Sequence, residues 1–554
     1  MNPFTLHDTL PRLAAQCDSY LALQRADGAI ERADWGLDDP GATCSLVGLC
    51  LYTQAVVGGK PEQEAKRLDA TERALTYLEG YQRQSGLTDL RDCNFDSSPD
   101  AGFILQAMCP AVAAARKHPL REAGGGQPQR GTSDGWGEVL ARTEAFLQRM
   151  VAGALTGGFH TPNHRWVMSA GLAQAEALFP DLFPQIKPVI ERYLAEGFDL
   201  NTDGAWIERS AGVYDAICDK SMLILAAHGY IREAALDAAC RNLTLNLHLF
   251  HADGTIETGL SRRQDFGTRS VPSPLIVPYL LANAYRPNPA FLAAAAFLQE
   301  RTPTDGYGLT QFLLAHSEPE AAAPALPTSY LQHYPELRVV RLRRDGLSAT
   351  AFSGTTRLLH LVAGNAELVS VKISQSYFGV GRFVGDDLSV TEEAITLLSE
   401  GKLSPYRPGY ELPLGRPVPY EQYSALRAER ELRRVPDCTS TLEIREIDGG
   451  LELHYKALDS LDRVPAQIAL DFAPGGIWET EDIALQPQPG QVLFLKRGTG
   501  RMRYGRDAIE ISPGADGHRM WAMRDAEPAP GLVRVLLTFL TPAEHVLALR
   551  CRLG

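Results

Sequence analysis

Residues 337–343, which read LRVVRLR, mark the point at which the hydrophobic pattern of this chain changes. Apolar side chains recur from here with a period near two, which is typical of β-strands, and Asp345-Gly346 follows as a hairpin-turn signal. A second hairpin is predicted over 442–455, with its turn at 448–450. Further strands are predicted at 357–362, 368–374, 466–472, 491–496 and 532–540. This pattern favours an antiparallel β-sandwich.

Before residue 317 the apolar positions recur at helical spacing instead. Segments with this period are 42–55, 71–82, 102–115, 138–151, 165–178, 186–194, 211–227, 231–247 and 274–285. Short connections rich in Gly, Pro, Asp and Asn separate them. This favours a ring of helical hairpins, an α/α toroid, over a flat α-solenoid, because no repeat of fixed length is present.

The chain of 554 residues is long enough for more than one domain. We expect an α+β protein with a helical toroid over 1–317, a linker over 318–329 and a β-sandwich over 330–554. The stretch 317–327 is rich in Pro and Ala and is therefore predicted to be linker. The Gly-rich segment 124–131 is predicted to be a mobile loop.

Composition restricts the classes of partner. A net charge of -13 argues against a general nucleic-acid surface, so an acidic ligand would need a local cationic site. The first residues lack a signal-peptide pattern, and no stretch is apolar enough to span a membrane. Nine cysteines without a CxxC pair indicate reduced thiols in a cytoplasmic protein. A homodimer is compatible with this size.

The pair Asn163-His164 follows Pro162 at a predicted helix start. Asn is a favoured N-cap, so a purely structural role is one interpretation. A helix N-terminus also carries partial positive charge and free N–H groups, which suit an anionic ligand. An amide and an imidazole at this position are therefore candidates for a carboxylate clamp.

Tyr214 lies near the start of a later predicted helix. A Tyr at an apolar helix position is most often part of the core. Here, however, the surrounding segment is dense in polar groups, among them Glu208, Arg209 and Asp215. We therefore treat Tyr214 and Glu208 as candidate catalytic residues and Arg209 as a candidate substrate contact.

Two polar segments offer further substrate contacts. Arg262 and Arg263 lie in the irregular run 253–265, and Arg forms bidentate bonds to carboxylates. A solvated loop with an ion pair to Asp265 is the alternative. Before the helix predicted at 102–115, Asp96 and Asp100 are candidates for contacts to sugar hydroxyls, although capping by a neighbouring Ser would also explain that segment.

Trp166 and Trp206 lie beside the two main motifs. If they are exposed they would stack on sugar rings, and core packing is the alternative. Tyr377 opens a Gly-rich stretch over 377–387 that lacks the Lys-Ser/Thr of a nucleotide loop, so turns and bulges are expected there. His248 and His251 have no matching cluster, and we expect no catalytic metal and no cofactor.

The order of these features resembles the heparinase II/III-like polysaccharide lyases, which include oligoalginate and heparin lyases. That group combines an α/α toroid with antiparallel β-sheets, and has an Asn-His pair followed by a Tyr about fifty residues later. The resemblance implies that Asn163 and His164 neutralise a substrate carboxylate, and that Tyr214 protonates the leaving oxygen. Either His164 or Tyr214 is then the candidate base. It also implies a further His or Tyr from the β-rich half, for which the candidates are His360, Tyr377 and Tyr406.

Three functions remain open from the sequence. The first is a lyase that cleaves a uronic-acid-containing oligosaccharide by β-elimination, a reaction that needs a base, an acid and stabilisation of the developing charge. The second is a β-glucuronidase-like glycoside hydrolase with Glu208 as its acid, which needs a second carboxylate. The candidates for that carboxylate are Asp96, Asp100, Asp215 and Asp265. The third is a carbohydrate-binding protein without catalysis.

Overall fold

The computed structural model describes residues 2–117, 132–303, 306–316, 318–319, 326–377, 381–400, 409–436, 438–458, 461–523 and 526–554. The chain divides into two compact units, Met1–Leu249 with Gly254–Leu326, and Phe250–Asp253 with Pro327–Gly554. The first is helical and the second contains antiparallel sheets, so the α+β class is confirmed. The predicted loop 124–131 and much of the predicted linker (317 and 320–325) lie outside the described residues.

The first unit contains twelve α-helices and one short hairpin in its described part. They are α1 (Leu6–Leu23), the hairpin strands β1 (Glu31–Arg32) and β2 (Leu37–Asp38), α2 (Pro40–Val56), α3 (Pro61–Tyr81), α4 (Ser98–Lys117), α5 (Thr132–Thr156), α6 (Pro162–Leu178), α7 (Phe183–Leu194), α8 (Tyr214–Ala227), α9 (Arg232–Leu249), α10 (Ile276–Tyr285), α11 (Pro289–Arg301) and α12 (Gly306–Ala315).

Contacts between the helices follow a closed circuit from α1 through α2, α4, α6, α8, α10 and α12 back to α1. The remaining helices pack against members of this circuit. Helices α2, α4, α6 and α8 are buried on most of their faces. In contrast, α7 buries Ile186, Ile190 and Tyr193, which share one face. The residue pattern therefore separates enclosed helices from peripheral ones.

The enclosed helices begin at the same end of the unit. Gln106 on α4 donates through Nε2 to the carbonyl of Val167 on α6 at 3.2 Å and to Oγ of Ser221 on α8 at 3.1 Å. Gly48 on α2 lies against the carbonyl of Ala107 on α4. Glu208, before α8, bonds Asn163 at the start of α6, and Tyr230, after α8, bonds Glu176 near the end of α6, so these helices run in the same direction. Phe103 near the start of α4 contacts His164 near the start of α6, and the first turns of α2 and α4 line one cavity. The four N-terminal ends therefore lie side by side, and their free N–H groups face one way.

The nine predicted helical segments all fall on observed helices. The pattern does not reveal α1, α11 or α12. Helix α11 (PAFLAAAAFLQER) is rich in Ala and has no sharp apolar stripe, and its start is set by Asn288, whose side chain accepts from the backbone N–H of Ala290. Capping and packing define this helix more than periodicity does.

The second unit contains nineteen strands in its described part. They are β3 (Ser329–Tyr334), β4 (Val339–Arg344), β5 (Leu347–Phe352), β6 (Leu359–Ala363), β7 (Ala366–Gln375), β8 (Asp387–Val390), β9 (Ile395–Ser399), β10 (Gly409–Glu411), β11 (Leu432–Arg434), β12 (Ser440–Ile447), β13 (Gly450–Ala457), β14 (Pro465–Phe472), β15 (Ile477–Glu479), β16 (Ala484–Leu485), β17 (Val492–Phe494), β18 (Gly500–Tyr504), β19 (Asp507–Ser512), β20 (Val533–Leu540) and β21 (Ala543–Arg552).

These strands form two large sheets and one small hairpin. The order in the first large sheet is β16-β15-β18-β19-β21-β13-β12-β9-β8, and in the second β17-β20-β14-β7-β6-β5-β4-β3. Pairing is antiparallel except between β17 and β20. Residues of both sheets, such as Leu397 and Leu442 in one and Leu361 and Ile468 in the other, share one buried hydrophobic cluster. Both predicted hairpins are confirmed as β4–β5 and β12–β13.

No helix within the described ranges is long and apolar enough to cross a membrane. All nine cysteines are free thiols and six of them are buried, as the sequence predicts.

Helices α4 and α6 approach each other closely through glycine. A Cβ at Gly171 on α6 would lie 2.6 Å from the carbonyl oxygen of Gly102 on α4 and 3.1 Å from Cβ of Leu105. Because the nearest atom belongs to backbone, the contact cannot relax by a side-chain rotation. These glycines therefore set how close the helix carrying Asn163 lies to α4.

We expect Gly171→Ala to lower the free energy of unfolding by about 1–3 kcal/mol, because the added methyl group overpacks this contact. Gly80→Ala on α3 is the matched control, since a Cβ there meets nothing within 4 Å. It should stabilise the protein by about 0.5–1 kcal/mol through the helix preference of Ala. Urea unfolding followed by circular dichroism measures both, and equal stability of the two variants would contradict the close contact.

Candidate functional site

The N-terminus of α6 holds Asn163 against a carboxylate. Thr161 is the N-cap residue and Pro162 occupies the first turn, where its missing N–H costs nothing. Asn163 is fully buried, and its Nδ2 donates to Oε2 of Glu208 at 2.7 Å. The backbone N–H of Asn163 donates to the same oxygen at 3.2 Å. Glu208 thus accepts from the positively polarised end of the helix.

Glu208 also pairs with Arg263. Its Oε1 lies 3.2 Å from Nη1 of Arg263, and the residue is only 5% exposed. A buried carboxylate needs such partners because desolvation of the charge is costly. Glu208 therefore connects the start of α6 with the polar segment around Arg263. Its Oε2 accepts two N–H groups and its buried Oε1 makes the ion pair with Arg263, which is the geometry of a positioning residue.

Arg263 also contacts Tyr214, the first residue of α8. The phenol oxygen accepts from Nη2 of Arg263 at 3.3 Å and from Nε2 of Gln264 at 2.8 Å. The guanidinium carbon lies 4.6 Å from the centroid of the Tyr214 ring. Because the oxygen accepts both bonds, the phenol proton remains available for donation. The two donors would also stabilise the phenolate left behind.

Asp265 fixes the backbone that carries these side chains. Its Oδ1 accepts from the hydroxyls of Ser210 at 2.9 Å and Ser261 at 2.5 Å. In turn, the hydroxyl oxygen of Ser210 accepts from the backbone N–H of Tyr214 at 3.2 Å, and that of Ser261 accepts from the backbone N–H of Arg263 at 3.0 Å. One buried carboxylate thereby orients both the start of α8 and the segment of Arg263. Because its oxygen is occupied in this way, it is poorly placed to act on a substrate.

His164 lies next to Asn163 and is 8% exposed. Its Nδ1 is buried and has no hydrogen-bond partner among the described residues. The ring meets His160 edge-on at 4.7 Å and Phe103 at 6.3 Å between centroids. Burial, assisted by the charges of His160 and Arg263, lowers the pKa of His164 to about 4. The imidazole is therefore neutral near pH 7 and able to accept a proton.

Arg209 and Arg262 adjoin Glu208 along the backbone. The backbone N–H of Arg262 donates to the carbonyl of Glu208 at 3.0 Å, and Arg209 follows Glu208 directly, with a φ of 53°. Burial, together with the charge of Arg262, lowers the pKa of Arg209. Within the described part of the chain neither group forms an ion pair. This is a local cationic site of the kind an acidic ligand requires.

The prediction that Trp166 and Trp206 stack on sugar rings is wrong. The two residues are 0% and 1% exposed, because both lie in the interior of the helical unit. Their indole nitrogens donate to Asp199 at 2.8 Å and to Asp219 at 3.0 Å, respectively. They serve packing, which was the alternative interpretation.

Tyr377 is likewise buried, in the second unit. It is 2% exposed and its hydroxyl donates to the carbonyl of Pro436, so the predicted contact with substrate is wrong. His360 is also buried, with Nε2 at 3.0 Å from Oε1 of Glu367. Tyr406 and residues 378–380 of the Gly-rich segment lie outside the described residues.

The two acidic residues before α4 differ in their surroundings. Asp96 is exposed at a φ of 50° and accepts from the hydroxyl of Ser85. Asp100 accepts from Nδ2 of Asn94 at 2.9 Å, and Oδ1 of Asn94 lies 2.9 Å from Nε2 of His160. Asp100 is thus connected to the ring that contacts His164. Neither Asn94 nor His160 stands in a sequence motif that would have identified it.

No protein-family model and no curated protein matches this chain. Solved structures do match. A heparinase III has a TM-score of 0.54 at 8% identity, covering 98% of this chain and 85% of its own. The structure of Paenibacillus xanthan lyase also has a TM-score of 0.54, at 10% identity, and the match covers 99% of this chain and 57% of the xanthan lyase chain. A mutant chondroitin AC lyase from Streptomyces coelicolor A3 has a TM-score of 0.50 at 12% identity, and the match covers 99% of this chain and 79% of the chondroitin lyase chain. The chain therefore has the fold of these lyases, as its sequence order predicts.

Proposed function

We propose that this protein is a polysaccharide lyase that cleaves a glycan next to a uronic acid by β-elimination. The supporting observation is the cluster in which Glu208 joins Asn163 to Arg263, and Arg263 contacts Tyr214. We further propose that the closed circuit of helices is an α/α toroid and that the two large sheets are a β-sandwich. The shared fold with heparinase III supports this assignment.

The uronate carboxylate binds at the cationic site of Arg209 and Arg262. These guanidiniums form no ion pair among the described residues, they lie near each other, and their backbone adjoins Glu208. Asn163 is fully buried and its amide donates to Glu208, so we assign it to positioning Glu208. Withdrawing charge from the carboxylate makes the neighbouring C5 proton more acidic.

His164 accepts the C5 proton, because its imidazole is neutral at working pH and lies next to Asn163 at the start of α6. The C5–H electron pair forms the C4–C5 double bond, and the C4–O bond breaks. Tyr214 gives its phenol proton to the leaving oxygen. Arg263 and Gln264 stabilise the phenolate until it is protonated again.

A glycoside hydrolase is less well supported. Glu208, its candidate acid, already accepts from Asn163 and pairs with Arg263. Asp265 is occupied by two hydroxyls. Asp215 is 2% exposed, and although burial raises its pKa to about 7, it faces Asn242 and Asn246 in the interior. None of these carboxylates has the open position that a hydrolytic acid or base requires.

Tyr214→Phe should reduce kcat by at least about a hundredfold with little change in KM, because only the proton donor is lost. Activity is measured from the ultraviolet absorbance of the unsaturated uronate across glucuronan, alginate and glycosaminoglycan oligomers. Tyr230→Phe is the control. Its hydroxyl bonds Glu176 near the opposite ends of α6 and α8, and activity should be retained.

The same panel separates the alternatives. Release of saturated glucuronate without ultraviolet absorbance, lost in Glu208→Gln but kept in Tyr214→Phe, would establish the hydrolase instead. Binding of every oligomer with no product after long incubation would establish a binding protein without catalysis.

His164 should titrate near pH 4 and not near its ordinary value of 6.5. Nuclear magnetic resonance of ¹³C-labelled histidines measures this directly, and the signal is assigned by its loss in His164→Gln. Between pH 6.5 and 4 the unfolded chain binds a proton at this residue that the folded chain does not. The wild-type unfolding free energy should therefore fall more over this window than that of the variant. Titration near 6.5 would contradict the lowering of the His164 pKa by burial.

A further inference from the structure

A cavity with a mixed apolar and polar lining lies at the N-terminal ends of α2 and α4. Its volume is about 270 Å³, and its lining includes Pro40 and Ser45 from α2 and Phe103 and Ile104 from α4. Since α2, α4, α6 and α8 begin at the same end of the helical unit, this cavity opens at the end that carries Asn163.

The cavity shares residues with the surroundings of His164. Phe103 lines it and also meets the imidazole of His164 edge-on. Asp100 lines it as well, and is joined through Asn94 to His160, whose ring contacts His164. A ligand that fills the cavity is therefore adjacent to the proposed reaction site.

Its lining suits a sugar ring. Leu90, Phe103 and Ile104 provide apolar surface, while Ser45 and Thr88 provide hydroxyl groups. The C–H face of a pyranose packs on apolar side chains, and its hydroxyls need nearby polar groups, so a pocket with this mixture can orient one sugar unit.

The charges of this lining differ from those at Arg209 and Arg262. Asp39, Asp89 and Asp100 line the cavity together with a single guanidinium, that of Arg32. Arg32 is already paired with Asp92 at 2.7 Å and lies 3.9 Å from Asp39. Asp89 is paired with Arg83, whose Nε lies 2.6 Å from Oδ1 of Asp89. A sulfate or carboxylate would therefore meet the negative charges of Asp39 and Asp100, with the nearest cation, Arg32, engaged.

We propose that this cavity binds the sugar unit next to the uronate and selects a unit that carries no sulfate or carboxylate. This inference rests on the proposed lyase function. The substrate is then a uronate-containing glycan whose neighbouring sugars are uncharged, held by a cationic site for the uronate and an acidic cavity for its neighbour.

The test compares uronate oligosaccharides that differ only by a sulfate on the neighbouring sugar. Wild-type kcat/KM should be at least about tenfold higher for the unsulfated member, and the ratio should shrink as salt is added, because the repulsion is screened. Asp39→Asn should lower the ratio by raising activity on the sulfated member. Asn preserves the N-cap bond that Asp39 makes to the backbone N–H of Ala42.

Asp237→Asn, at an exposed position on α9, makes the same change of charge elsewhere and should leave the ratio unchanged. Sulfated substrate cleaved as fast as unsulfated, or an equal ratio in both variants, would overturn the inference while the lyase function stands. If neither member gives unsaturated product, the lyase function fails. Calorimetric titration of the wild-type protein with the same two oligosaccharides then tests whether the cavity selects an uncharged sugar. Binding of the sulfated member that is about tenfold weaker supports the selection, and equal binding of the two members overturns it.

Discussion

The buried carboxylate of Glu208 is the interaction on which the candidate site depends. It accepts two N–H groups from Asn163 at the start of α6 and pairs with Arg263, which contacts Tyr214 on α8. Removing one partner from a buried ion pair typically costs about 3–5 kcal/mol, because the other charge is left unpaired. Three separate segments are therefore held in one geometry by a single side chain, and Asp265 reinforces it through Ser210 and Ser261.

The helical unit explains why polar chemistry collects at this end. Its enclosed helices begin side by side, and helix N-termini present free N–H groups and partial positive charge. Asn163, Tyr214 and the cavity beside Phe103 all lie at such starts. The close contact between Gly102 and Gly171 brings α4 and α6 together, so the cavity and His164 share a wall. An acidic protein can thus offer a local cationic site beside an acidic one.

Local signals in the sequence predict much of this arrangement. Pro162 before Asn163 indicates a helix start, and apolar residues at helical spacing between Gly- and Pro-rich connections locate the enclosed helices. Contacts between distant segments are not encoded in such patterns. Asn163 and Arg263, the partners of Glu208, lie 45 and 55 residues away from it in the sequence. Because no local pattern reveals these contacts, the sequence identifies Glu208 only as a candidate acid, whereas the structure shows it bonded to Asn163 and paired with Arg263. Burial of Trp166 and Tyr377 is likewise decided by tertiary packing, since an aromatic residue beside a motif fits surface and core equally well.

The most direct test of this account is a crystal structure of the Tyr214→Phe variant with an uncleaved uronate oligosaccharide. The account predicts that the carboxylate lies within hydrogen-bonding distance of Arg209 or Arg262, with the sugar C5 facing the imidazole of His164 and the glycosidic oxygen facing the ring at position 214. A carboxylate bound away from these guanidiniums, or a C5 that faces no imidazole, would contradict the elimination mechanism.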